Sequence, residues 1–205
     1  MIIKYKNFNE KYFRKNKAHF DKLKRRNCEK AFEIWRATKR ELDEEYKDFL
    51  DVVIRIGKNK LDKKERKQAL KDLRRSIKGF SMGVYSYKEK TKNFLNCYLG
   101  KNKYRDEPAK ELYNLIIEKH FWTIYINFFI RLHNSIKHSG VFKILAFDIK
   151  EKGKDFYIIN FSIKEAENWI GRLLNGADIV HYFKKAMSYL NDVDREIFHY
   201  MVRRS

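Results

Sequence analysis

Arg131, His133, Asn134 and His138 fall within one short run, IRLHNSIKHSG, near the middle of the 205-residue chain. An arginine guanidinium binds phosphate oxygens in a forked geometry and stabilises charge that grows on them in a transition state. A histidine titrating near neutrality removes a proton from a ribose 2′-hydroxyl or returns one to a departing 5′-oxygen. Asn134 can orient either the imidazole or the phosphate. On a helix, Arg131 and His138 are about 10 Å apart along the axis, close enough for their long side chains to converge on one phosphodiester. Such chemistry needs no metal. The sequence offers no carboxylate–histidine cluster to hold one, and no cofactor is expected. The plainer alternative is electrostatic, since Arg and His in a last helical turn also complement the helix dipole.

The element that must position these groups is the most apolar helix of the chain. Phe121 to Ile130 (FWTIYINFFI) is apolar almost all the way round, which predicts a helix in the interior. At about 100° per residue, Arg131, Asn134, Ser135 and His138 share an arc of about 100° opposite Leu132 and Ile136. His133 falls instead beside Trp122 and Ile126. Asp106 and Pro108 announce the start of this helix and Gly140 its end.

Elsewhere the pattern is also helical. One proline and eight glycines leave few breaks. No glycine or proline stands between Asn9 and Ile56, and apolar residues recur there at three- and four-residue steps. That predicts one long helix, or two with a kink, ending at Gly57. Asp62 with Glu65 forms a capping-box-like start to a stripe of Ala69, Leu70, Leu73 and Ile77, with a stop at Gly79. A separate helix is expected from Val84 to Leu99. Lys143 to Ile149 and Asp155 to Phe161 are β-rich runs predicting a hairpin. Ser162 with Glu165 would begin a further helix, Asn175-Gly176 would break it, and Asp178 would cap a final one. The expected fold is all-α: a helical bundle with a long N-terminal helix and one inserted β-hairpin at about 143–161. It forms a single domain over 1–205, with a basic helical region 1–100 packed on a helical core 104–205. Trp35, Trp122 and Trp169 are assigned to the core.

Charge narrows the function classes. The formal net charge is +20, beyond the roughly 2–8 units that solubility needs. Residues 1–110 carry 33 Lys/Arg against 16 Asp/Glu, while 111–205 carry 14 against 11. A basic half joined to a nearly neutral half points to a polyanion partner. The densest basic runs are Lys22, Lys24, Arg25 and Arg26, then Lys63, Lys64, Arg66, Lys67, Arg74 and Arg75, with Tyr12, Phe13 and Phe20 interleaved. His19, His120, His181 and His199 are scattered and read as structural. Cys28 and Cys97 stand apart and are expected as reduced, buried thiols in a cytoplasmic protein. No run is apolar enough for a signal peptide. The best candidate for a membrane span, Leu112 to Leu132, contains Asn114, Glu118, Lys119, His120 and Asn127.

The Arg131–His138 region resembles the HEPN superfamily of helical RNases and nucleotide-binding domains. Their signature is an arginine, four to six residues, then a histidine near the end of a long apolar helix. Arg131 and His138 match with six intervening residues. A shorter frame, His133-Asn134-Ser-Ile-Lys-His138, matches the commoner Arg-Asn, three residues, His pattern, with His133 where the arginine stands. In organisation the resemblance spans Phe80 to Leu190. It implies a homodimer, with metal-independent RNA cleavage leaving a 2′,3′-cyclic phosphate and a 5′-hydroxyl. It further implies a toxin or phage-defence role with an antitoxin or defence-complex partner. Two other classes stay open: a non-catalytic RNA- or DNA-binding module, and a scaffold that sets its basic face on an acidic protein.

Overall fold

A computed structural model describes residues 21–24, 26–58, 61–139, 142–151, 154–163 and 176–203, with the side chains of 57–58, 138–139, 142–163 and 176–178 outside the description. The architecture is helical, built on α1 (Glu29–Lys58) and α2 (Lys63–Leu99). The short α3 (Asn102–Arg105) and α4 (Glu107–Asn114) follow, and then α5 (Ile124–Ser139). Strands β1 (Phe142–Glu151) and β2 (Lys154–Ile163) pair antiparallel, with Phe142 opposite Ile163 and Glu151 opposite Lys154. The last helix is α6 (Gly176–Arg203). Residues 1–20 and 164–175, which include His19, Trp169 and the helix expected after Ser162, lie outside the described residues.

The N-terminal helical run is interrupted. Residues 21–24 are helical, the chain then turns, and Asn27 takes φ 56° before α1 begins. Asparagine tolerates this left-handed conformation better than most residues. At the turn, Cys28 is bridged to Cys97 by a disulfide across 69 residues. The expectation of two reduced thiols is therefore overturned, and with it the argument it made for a reducing compartment. The bridge ties the start of α1 to the end of α2, positions that lie far apart in sequence but side by side in the antiparallel helix pair.

Gly79 does not stop a helix. α2 runs unbroken for 37 residues, about 55 Å. It starts at a capping box in which the Asp62 carboxylate accepts from the Lys64 and Glu65 amides at 2.7 Å and Glu65 accepts from Asp62 N at 2.9 Å. Glycine inside a helix costs about 1 kcal/mol relative to alanine, and packing supplies the reason it is used here. A Cβ on Gly79 would stand 2.0 Å from the Glu45 carboxylate, and one on Gly83 would stand 3.0 Å from Leu42 Cδ1. The two glycines form the contact that lets α1 approach α2 closely.

The predicted central helix is likewise divided. Asp106 caps α4 by accepting from Ala109 N at 3.3 Å, with Pro108 in the first turn. The chain then widens into a π turn at Leu115–Lys119 and tightens into a 3-10 turn at His120–Trp122. Thr123 is extended (ψ 146°), and its hydroxyl donates to the His120 carbonyl at 3.0 Å. This break rotates the register, so Trp122 and Ile124 are exposed, at 62% and 56%. Trp122 is thus not a core residue, and the segment is not buried on every side.

One core joins α1, α2, α5 and α6. Trp35 stacks on Phe94 at 4.9 Å, Phe49 on Phe183 at 3.5 Å, and Phe80 meets Phe129 edge-on at 4.8 Å. Each such ring contributes about 1.5–3 kcal/mol by leaving water. A polar cluster is set into this core: Arg36 Nη1 donates to Asp194 Oδ2 at 2.9 Å, and the buried Tyr87 hydroxyl donates to Asp194 Oδ1. The Arg36 guanidinium also lies 5.2 Å from the Trp35 ring and 5.0 Å from that of Phe198. Burial, reinforced by Asp194, pushes the Tyr87 phenol well above its ordinary range. Among the described residues, no helix is long and apolar enough to cross a membrane.

Candidate nucleic-acid interface

The continuity of α2 aligns charges that a break at Gly79 would have separated. With Arg75 at 0° and about 100° per residue, Lys67, Lys71, Arg74, Lys78 and Lys92 all fall within an arc of about 60°. Beside this arc stand Lys64, Arg75 and Lys90, with Asp72 and Glu65 as the acids, while Glu89 falls within the arc itself, in the 14-residue interval between Lys78 and Lys92. Lys67, Lys71, Arg74 and Lys92 are exposed, and Lys78 is half-buried. From Lys67 to Lys78 the cations follow at three- and four-residue steps, about 4.5–6 Å each. Asp72 is already engaged: it pairs with Arg55 and accepts from Gln68 Nε2 at 2.9 Å. The hydrogen bond from Arg55 is the main cause holding its carboxyl below the usual range.

Beside the stripe lies a groove of about 1030 Å³ between α1, α2 and the end of α5. Its two walls differ in sign. α1 supplies Glu45, Asp48 and Asp51, while α2 supplies Lys71, Arg74, Arg75 and Lys78, and one pair of opposite sense, Arg55 of α1 with Asp72 of α2, joins the walls. Burial, assisted by Asp48, raises the Glu45 carboxyl above its ordinary value where it rests against Gly79. α5 closes the groove with His133, Ile136 and Lys137. The half-buried His133 ring stacks on Tyr85 of α2 at 4.6 Å and an interplanar angle of 19°. The groove therefore sets an imidazole between the cations of α2 and the carboxylates of α1.

The remaining residues expected at the site are placed elsewhere. Arg131 and Asn134 are exposed and do not line the groove. Arg131 and His133, the two candidates for the first position of the motif, point about 160° apart around α5. His138 belongs to the last turn of α5, and its side chain lies outside the described residues. The two basic runs do not form one patch. Lys63, Lys64, Lys67, Arg74 and Arg75 occupy the first third of α2 and are exposed, whereas Arg66 is half-buried on the other side of the helix. At the far end, Lys22 and Arg26 gather on Tyr98, at 6.0 and 5.1 Å from its ring, and Arg26 also donates to the Tyr98 carbonyl. Lys24 is exposed there, and Arg25 lies outside the described residues.

The other described histidines stand apart from the groove. His120 is half-buried, and burial lowers its imidazole against the opposing pull of Asp192 and Glu196. His181 lies 3.4 Å from the Tyr125 hydroxyl. Among the described residues, no three His, Cys, Asp or Glu side chains are grouped to hold a metal ion. Sequence reasoning passed over Lys71, Lys78, Lys92, Lys137 and Glu45. The three α2 lysines share an angular position with Lys67 and Arg74, a signal visible once the helix is carried through Gly79. Comparison with known protein families, curated proteins and solved structures finds no match to this chain.

Proposed function

We propose that this chain binds RNA, with the sugar–phosphate backbone following the basic stripe of α2 past the His133 groove. The observation that carries the reading is the row of Lys67, Lys71, Arg74, Lys78 and Lys92 on one side of a single 37-residue helix. Counterion release from the polymer supplies the affinity of such a row. The acidic wall on α1 opposes entry of a polyanion, which keeps the strand on the α2 side of the groove. The test is anisotropy of a labelled single-stranded RNA titrated with the full chain. A Lys71→Glu/Arg74→Glu/Lys78→Glu variant with unchanged far-UV CD should lose at least about 100-fold in affinity. Equal binding by that variant ends the proposal.

A second reading is metal-independent endoribonuclease activity of HEPN type, in phage defence or as a toxin. It is favoured by Arg131 and Asn134 standing open to solvent together on the last turns of α5. In it Arg131 clamps the scissile phosphate and His138 moves the proton, with His133 the alternative at the motif's first position. The homodimer and the antitoxin or defence-complex partner belong to this reading. So does a cytoplasmic site of action, where the Cys28–Cys97 bridge would have to persist against reducing conditions. Cleavage in EDTA that disappears in both Arg131→Ala and His138→Ala supports it. Tight, salt-sensitive binding without any product leaves the binding function alone.

A further inference from the structure

The α2 stripe does not end in bare solvent. Beyond Gly100 the chain makes the four-residue α3, whose Tyr104 is 73% exposed. Its neighbour Lys103 is held in place from three sides. The ammonium donates to Asn96 Oδ1 at 2.7 Å and lies 4.9 Å from the Tyr104 ring centre and 5.1 Å from that of Tyr113. Asn96 falls at the same angular position on α2 as Lys78 and close to that of Lys92. The anchored Lys103 and the ring beside it therefore continue the stripe. Lys101 and Arg105 flank the ring and are exposed. The next acids along the chain are Asp106, which caps α4, and the exposed Glu107, 3.7 Å from Lys110.

We infer that Tyr104 is a stacking platform for an unpaired nucleobase of single-stranded RNA, at the far end of the track. An exposed aromatic ring among cations offers a π-face that any base can use, while the cations hold the flanking phosphates. Lys103 polarises the ring and limits its motion, so less freedom is lost when a base stacks on it. Arg74 and Asn96 are separated by about 33 Å along α2. A duplex keeps its bases paired and buried in the stack, so it gains nothing from the ring.

The inference rests on the RNA-binding reading, and the test separates the two. Wild type, Tyr104→Ala and Tyr104→Phe are each titrated with a mixed-sequence single strand of about 20 nucleotides and with the matching duplex, over a range of salt. Tyr104→Ala should weaken single-strand binding about tenfold and leave duplex binding within about twofold. Tyr104→Phe should match wild type, and the salt slope should be the same in all three, because stacking releases no counterions. Tyr104→Ala binding the single strand as tightly as wild type overturns the platform, as does an equal loss on strand and duplex. If charge reversal on α2 abolishes binding while Tyr104→Ala has no effect, only the platform falls. If wild type binds neither polymer, both readings fall.

Discussion

The α2 stripe predicts a definite salt dependence. If Lys67, Lys71, Arg74, Lys78 and Lys92 each neutralise one phosphate of a single strand, log Kobs should fall against log salt with a slope of about −3.5, at about 0.7 per contact. Affinity should then drop roughly 100-fold between about 50 and 200 mM salt. Replacing Lys71 and Lys78 by alanine removes two contacts and should bring the slope to about −2.1. Lys71 is exposed and Lys78 half-buried at the groove, and alanine is a strong helix former, so the helix should persist and the far-UV CD spectrum should be unchanged. The measurement is anisotropy of a labelled RNA at five or more salt concentrations, for wild type and variant in parallel. A wild-type slope shallower than about −1 would mean that fewer than two of these cations touch phosphate. A slope unchanged in the double variant would put the contacts elsewhere on the molecule. Either result refutes the stripe as the binding surface.

Three further outcomes follow from the interior. Asp194→Ala leaves the Arg36 guanidinium without its carboxylate and the Tyr87 hydroxyl without its acceptor. It should cost about 3–5 kcal/mol, or roughly 6–20 °C in Tm for a chain of this size; a fall under about 3 °C would show the cluster to be dispensable. Cys28→Ser/Cys97→Ser removes a crosslink spanning 69 residues and should lower unfolding stability in urea by up to about 4 kcal/mol, with no loss expected if the bridge does not form in solution. Glu45 has its carboxyl raised, chiefly by burial, so its contribution is favourable at acid pH and is lost as pH rises through its folded value. Glu45→Gln should therefore raise Tm at neutral pH, with the gain shrinking as pH falls through the ordinary carboxyl range; a gain that grows on acidification contradicts this sign.

The helical class and several boundaries were legible because their signals are local. Asp62 and Glu65 satisfy each other's end of α2, and Asp106 with Pro108 starts α4, as short-range hydrogen-bonding rules require. The errors came from signals that depend on a partner. Gly79 reads as a stop when α2 is considered alone, because its use is to admit Glu45 and the body of α1. The break at His120–Thr123 replaces a continuous apolar pattern with π and 3-10 turns, and no single residue there announces it. Cys28 and Cys97 become a pair only when the antiparallel arrangement of α1 and α2 brings their positions together. The same limit applied to the site. Lys78 and Lys92 each look like solvent charge until one uninterrupted helix puts them in the row that Lys67 begins.

The opposed charges of the groove separate the two frames of the α5 motif. A phosphodiester brought to His133 has to enter between the cations of α2 and the Glu45, Asp48 and Asp51 wall. Each carboxylate left ionised there repels the strand, and the raised Glu45 carboxyl relieves only part of that repulsion. A phosphodiester brought to Arg131 and Asn134 meets no such wall, because those side chains are exposed on a different face of α5. It must, however, leave the α2 stripe to get there. Binding along α2 and cutting at Arg131 therefore require either a strand that bends around the end of α5 or a second copy of the chain that presents its own Arg131 to the bound strand. The second arrangement lets each subunit hold the RNA that the other cuts. In that case neutralising the α2 cations of one subunit would silence the motif of its partner.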